Sequence, residues 1–237
     1  MFGLGMFTAE RNYNMLRRSA VFYLLVLLLQ GNPAFGNDEL TNILNGIQNK
    51  YGTLPGLAID YTREVITRSM SMLGNKVKGD LAEGRIFFTP PYCLRLEQKT
   101  PNPETLLADG ETLWWYIPEE KRVYKYPFDE FGKELRLLSD IFRGLSEVEK
   151  NFQVTMLDRT EQEAYQIELS PDPPWQEINR IVLTVTGDFT IRVVSIHNQL
   201  GGITRFTLHG LVSKAEFPKD FFQFVLPEGV TLVEEKR

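Results

Sequence analysis

Two histidines, His197 and His209, and one cysteine, Cys93, are all that this chain offers among the side chains most used for covalent or metal chemistry. No Gly-x-Ser-x-Gly elbow, metal-spaced histidine cluster or phosphate loop accompanies them. Both histidines fall in alternating runs beside Ser195, Arg205 and Thr207, so they read as solvated strand positions. Cys93 reads as a buried strand thiol; being the only cysteine, it has no partner for an intramolecular disulfide. Asp158, Glu161 and Glu163 sit in a turn, where charge is commonplace. The pattern with chemical content is noncovalent. An Asp109-Gly110 turn opens into Thr112-Leu113-Trp114-Trp115-Tyr116-Ile117. Trp114 and Tyr116 point one way and Leu113, Trp115 and Ile117 the other, and neither face suits bulk water. One face meets a core, while the other either packs within the protein or lines an apolar cavity. The chemistry implied is burial of an apolar ligand, with no catalysis, cofactor or metal.

A strand of that kind must be positioned by a sheet. Short alternating runs punctuated by Gly, Pro and Asp predict a single antiparallel, mainly β domain. The expected strands cover 57–71, 76–89, 92–98, 104–108, 112–117 and 122–126, then 153–158, 164–169, 177–186, 190–197, 203–213 and 222–226. Pro171-Asp172-Pro173-Pro174 and Gly187-Asp188 break the second set, and the order suggests a long meander. A helix is expected over 38–50, with Asp38 as cap and Leu40, Ile43, Leu44 and Ile47 as its apolar stripe. Between the two sets of strands, Leu135, Leu138, Ile141, Phe142 and Leu145 recur at helical spacing. That helix is either a lid over an apolar ligand or a core helix; periodicity alone does not separate them.

The N-terminus adds a location. Arg17-Arg18 precede an apolar run over 20–29, and Ala34 and Gly36 supply small residues at the minus-three and minus-one positions. Residues 1–36 thus read as an export signal peptide, with Met15 the better start, and 37–237 as one mature domain. The run is too short for a comfortable membrane span, and no cysteine follows the cleavage site to be acylated. Removing Arg11, Arg17, Arg18 and Glu10 takes the net charge from −5 to −7, which argues against nucleic acid and against anionic lipid surfaces.

Several blocks together resemble one family. Gly84-Arg85-Ile86-Phe87-Phe88, Pro91-Tyr92-Cys93-Leu94-Arg95-Leu96-Glu97 and the stretch from Leu107 through Asp109-Gly110 to Trp114-Trp115-Tyr116-Ile117-Pro118 resemble, in order and spacing, the LolA family of periplasmic lipoprotein carriers. Phe222-Gln223-Phe224-Val225-Leu226-Pro227-Glu228-Gly229-Val230 resembles the family's closing "F-x-F-x-x-P-x-G-V" signature. The resemblance implies an incomplete antiparallel β-barrel with an N-terminal helix and an inserted amphipathic lid. It further implies a monomeric periplasmic carrier of acylated lipoproteins, served by an inner-membrane lipoprotein-releasing transporter and, where present, an outer-membrane acceptor lipoprotein. Two alternatives stay open: a periplasmic binder of another lipid or amphiphile, and a lipid-sensing regulatory half-barrel.

This chain departs from the family at Pro90, where many members carry a basic residue understood to hold the lid by hydrogen bonds. Proline offers no donor, so closure would rest chiefly on apolar contacts. Leu94 and Leu96 also stand where the family often shows aromatic residues. The expected cavity residues are Ile59, Tyr61, Leu94, Leu96, Trp114 and Tyr116, and the expected lid residues are Leu135, Leu138, Ile141 and Phe142. N-terminal sequencing of a periplasmic fraction should find an unacylated chain beginning near Asn37. An intact N-terminus in the cytoplasm, or a lipid-modified residue, overturns the export assignment.

Overall fold

The computed structural model describes residues 34–72, 78–128 and 133–234. Two compact units divide between Glu39 and Leu40. Of the first, residues 34–39 are described, as the opening turns of a helix, and the rest of the segment expected to be an export signal lies outside the described residues. All packing below belongs to the second unit.

Helix α1 spans Ala34–Tyr51, so it begins before the expected cap and Asp38 lies inside it. Ile43, Ile47 and Tyr51 recur every four residues, and that spacing places them on one buried face. Strand β1 (Leu57–Ile66) follows. A strand as far as Ser71 was expected, but the Thr67 hydroxyl accepts the Met70 N–H at 3.3 Å and opens a short helix, α2 (Arg68–Met72). A side-chain oxygen that takes a backbone donor favours a helix start over a ladder. Strands β2 (Asp80–Thr89), β3 (Cys93–Thr100), β4 (Glu104–Ala108), β5 (Thr112–Ile117) and β6 (Arg122–Pro127) then form a meander. Of the strand expected from Lys76, residues 76–77 lie outside the described residues and Lys78 and Gly79 are not in a strand. At the β4–β5 turn, Asp109 Oδ1 accepts the N–H groups of Glu111 and Thr112 at 2.9 and 2.8 Å, and Gly110 takes φ +99°, open to glycine at no steric cost.

Helix α3 (Lys133–Phe142) stands between this meander and the next, β7 (Phe152–Leu157), β8 (Tyr165–Pro171), β9 (Ile178–Val185), β10 (Ile191–Asn198) and β11 (Ile203–Ser213). β1 and β11 pair, so the two meanders join into one sheet of order β12-β6-β5-β4-β3-β2-β1-β11-β10-β9-β8-β7. Every pairing is antiparallel except that of β12 (Thr231–Glu234), an exposed strand parallel to β6 that the sequence pattern did not predict. β7 and β12 do not pair with each other, so the sheet is open.

The expected strand over 222–226 is not one. The chain enters it through turns, with Phe221 N–H donating to the Pro218 carbonyl and Gln223 N–H to that of Asp220, and residues 224–226 are in no regular element. Phe224 stacks on Trp114 at 5.1 Å, Phe222 meets Phe217 and Phe221, and the preceding Phe221 meets Phe87 edge-on at 5.0 Å.

Helix α1 is fixed by polar bonds as well as by its stripe. Lys50 Nζ donates to Asp188 Oδ2 (2.8 Å), the Asp188 carbonyl (2.9 Å) and Thr190 Oγ1 (2.6 Å) in the β9–β10 turn, holding the Asp188 carboxyl well below its usual range. The buried Tyr51 hydroxyl accepts the Ile191 N–H at 3.0 Å. Tyr51→Phe would leave that buried donor unpaired, so it should cost roughly 1–3 kcal/mol in denaturant unfolding and speed amide exchange at Ile191. A loss below about 0.3 kcal/mol would remove the bond from this account.

Candidate functional site

Alternation and register divide the sheet into two faces. On the inner face, the cross-strand row Leu57, Phe88, Leu94, Ala108, Leu113 runs beside a second, Ile59, Ile86, Leu96, Leu106, Trp115. Helix α3 covers this face: Leu138, Ile141 and Phe142 are at most 1% exposed, Leu135 is buried, and Phe142 meets Phe88 at 5.9 Å. Ser139 is buried on the same helix without cost, since its hydroxyl donates to the Leu135 carbonyl at 3.0 Å.

Of the expected cavity residues, Ile59, Tyr61, Leu94 and Leu96 therefore stand together on the inner face, in one cluster with the four expected lid residues. Trp114 and Tyr116 do not. Their register partners Leu107 and Thr105 place them on the outer face, where Phe224 lies 5.1 Å from Trp114 and 6.0 Å from Tyr116. The aromatic residue this strand gives the inner face is Trp115, beside Tyr124 at 5.4 Å, and its Nε1 donates to Glu104 Oε2 at 2.9 Å. The Leu94–Ala108–Leu113 register carried that assignment, but choosing the inner side required knowing where α3 packs.

Helix α3 also makes a polar contact that sequence reasoning missed. Arg143, one residue past its end, donates to the Tyr92 hydroxyl at 2.9 Å and lies 3.5 Å from Asp140 Oδ1. The guanidinium carbons of Arg143 and Arg136 sit 5.0 and 5.7 Å from the Tyr92 ring centre. The seat of α3 is thus not apolar alone: with proline at position 90, the donor comes from the helix and the acceptor stands two residues further along the chain. Burial raises the Asp140 carboxyl, against the pull of Arg143 and Arg136.

A hollow of about 410 Å³ lies beside α3, with Leu137, Phe152, Leu169 and Trp175 as its apolar lining and Tyr92 and Arg143 at its polar side. Two more, of about 400 and 470 Å³, adjoin the α3–β7 connection, next to Leu44 and Pro90 respectively. The connection holds Gly144, Leu145 and Glu147 at φ +81°, +56° and +66°; the last two occupy a region that costs a side-chain-bearing residue energy.

The residues of possible covalent chemistry are scattered. Cys93 is partly buried and its thiol is pushed up by burial. His209 is exposed, whereas His197 is half-buried and held low by desolvation, a correction to the solvated strand position expected of it. Among the described residues no group of three or more His, Cys, Asp or Glu is placed to hold a metal ion, and no helix is long and apolar enough to cross a membrane.

Comparison with known proteins gives the arrangement a family. The profile of the outer membrane lipoprotein carrier protein LolA matches residues 72–225. Among similar proteins, the outer-membrane lipoprotein carrier protein of Nitrosospira multiformis is 22% identical over 216 residues, covering 91% of this chain and 96% of that one. The protein of the same name from Yersinia enterocolitica is 29% identical over 157 residues, covering 65% and 72%. Among solved structures, a LolA superfamily protein from Nitrosomonas europaea aligns with TM-score 0.44 at 11% identity, over 78% of this chain and 97% of that one. With an open, mainly antiparallel sheet covered on its inner face by an amphipathic helix, and a family profile spanning most of its length, the chain belongs to the LolA family of outer-membrane lipoprotein carrier proteins.

Proposed function

We infer that this protein shields the acyl chains of lipoproteins and carries them through the periplasm, receiving them from an inner-membrane lipoprotein-releasing transporter and passing them to an outer-membrane acceptor. Residues 37–237 form the carrier domain, which acts as a monomer, and residues 1–36 are the export signal. The observation that carries this reading is α3, whose apolar side chains fill the inner face of an open sheet. Family membership supplies the cargo class. No covalent step is required of any residue.

The physical logic is an exchange. Leu135, Leu138, Ile141 and Phe142 are each worth about 1.5–3 kcal/mol when buried, or roughly 6–12 kcal/mol together. A sixteen-carbon acyl chain at about 0.8 kcal/mol per methylene gains close to 12 kcal/mol. Displacing the helix therefore offsets roughly half to all of what the ligand gains. Binding stays tight enough to shield and loose enough to release. Besides its buried stripe, the contacts of α3 that suit this role include the bond from Arg143 to Tyr92 and a connection in left-handed backbone.

Mass spectrometry of material co-purifying from the native periplasm should find acylated protein. Free phospholipid alone would overturn the cargo assignment, and a signalling protein without lipid would make the half-barrel a sensor.

Replacing Ile141 by Asp places an unpaired carboxylate against apolar surface and should open the lid by several kcal/mol. Hydrogen exchange should then lose protection only around 135–145, with acyl-probe binding altered. Equal loss across the strands would make α3 structural core and sink the lid.

A further inference from the structure

The two apolar rows of the inner face end at a third row of different chemistry. One step along the strands from Ile59, Ile86, Leu96 and Leu106 stand Tyr61, Gly84, Gln98 and Glu104, again in register. Arg63 reaches into this row from β1, its Nη2 donating to Gln98 Oε1 at 3.0 Å. Gln98 Nε2 in turn donates to the Asn102 carbonyl at 2.8 Å, and Glu104 accepts from Trp115. Gly84 leaves a gap in the row, and the Tyr61 hydroxyl lies over it: a Cβ at that glycine would come within 2.8 Å of Tyr61 Oη.

Two atoms of this set lack a hydrogen-bond partner among the described residues. Tyr61 is 99% buried, yet its Oη makes no hydrogen bond, and neither does the buried Nε of Arg63. Buried donors without acceptors are uncommon and costly, so each calls for an explanation. Both lie on the face where an acyl chain would be shielded, at the line where apolar side chains give way to polar ones. Leu106, Trp115 and Tyr124 in the adjoining row remain partly exposed.

Resting on the carrier reading above, we propose that Tyr61 and Arg63 form a head-group stop, binding the carbonyl or carboxylate oxygen that heads a long acyl chain. The chain lies along the rows of Ile59 and Leu57, and the oxygen accepts from Tyr61 Oη–H and Arg63 Nε–H. The row thereby sets how far an acyl chain enters, while the apolar rows set only that it enters.

The test is displacement of a fluorescent long-chain probe by dodecanoate, methyl dodecanoate and dodecane, on the wild type, Tyr61→Phe and Arg63→Gln. Tyr61→Phe removes one unsatisfied hydroxyl, so it should leave the thermal midpoint equal or higher. It should weaken dodecanoate and the ester about five- to tenfold, one hydrogen bond's worth, and leave dodecane unchanged. Arg63→Gln separates the sources of the oxygen: a larger loss for dodecanoate than for the ester assigns a free carboxylate, and equal losses assign an ester carbonyl. Equal loss across all three ligands in Tyr61→Phe, or none in any, overturns the stop while leaving the carrier intact. No displacement by any of them on the wild type overturns the carrier reading as well.

Discussion

An apolar sheet face that does not close on itself has to be covered. Among the described residues twelve strands hydrogen-bond in one sheet, but β7 and β12 remain its edges, so the sheet does not close around the rows of Leu57 and Ile59. Water on that face would cost the whole of its hydrophobic stabilisation. Helix α3 answers the constraint in this structure, and its stripe of Leu135, Leu138, Ile141 and Phe142 has no other place to be buried. Burial is non-directional, so nothing in the force that seats the helix distinguishes its side chains from another apolar body of similar size. That lack of discrimination is the basis for reading the helix as exchangeable with acyl chains.

The two long helices are held in different ways, and the difference matters. Helix α1 combines its stripe with three Lys50 bonds and the Tyr51–Ile191 bond, which fix position as well as burial. Helix α3 has its stripe, the Arg143–Tyr92 bond and the paired stacking of Arg136 and Arg143 on one ring. A hydrogen bond between a guanidinium and a neutral hydroxyl contributes little beyond a few kcal/mol, and it re-forms easily. On the carrier reading, α1 is permanent scaffold and α3 the movable part, with the connection through Gly144, Leu145 and Glu147 as its joint.

The outer face explains why one strand is aromatic on both sides. Phe217, Phe221 and Phe224 of the C-terminal segment pack on Phe87 and Trp114, while Arg95 Nη1 donates to the Phe221 carbonyl at 3.1 Å and its guanidinium lies 5.0 Å from that ring. This segment covers the sheet with side chains and spends its backbone in turns. β5 is thus packed by its own protein on the outer side and faces the helix-covered tract on the inner side.

Most of the architecture was legible in the chain. Period-two runs bounded by Gly, Pro and Asp located eleven of the twelve strands to within a few residues, and the 3.6 spacing from Leu135 to Phe142 located α3, because these periodicities are imposed by local backbone geometry. The exposed β12, with no apolar alternation, carried no such signal, and 222–226 imitated a strand because rings that pack on a sheet resemble rings that belong to one. The sequence by itself determined that β5 had two apolar faces, that Tyr61 shared a face with Ile59, and that position 90 offered no donor. Only the tertiary structure decided which face was inner, placing Trp114 and Tyr116 on the outer face and Trp115 on the inner one. Only it brought Arg143 to Tyr92 across 51 residues and left Tyr61 Oη and Arg63 Nε without acceptors. Those are relations between strands and helices distant in sequence, and a pleat fixes alternation without fixing which side another element will cover.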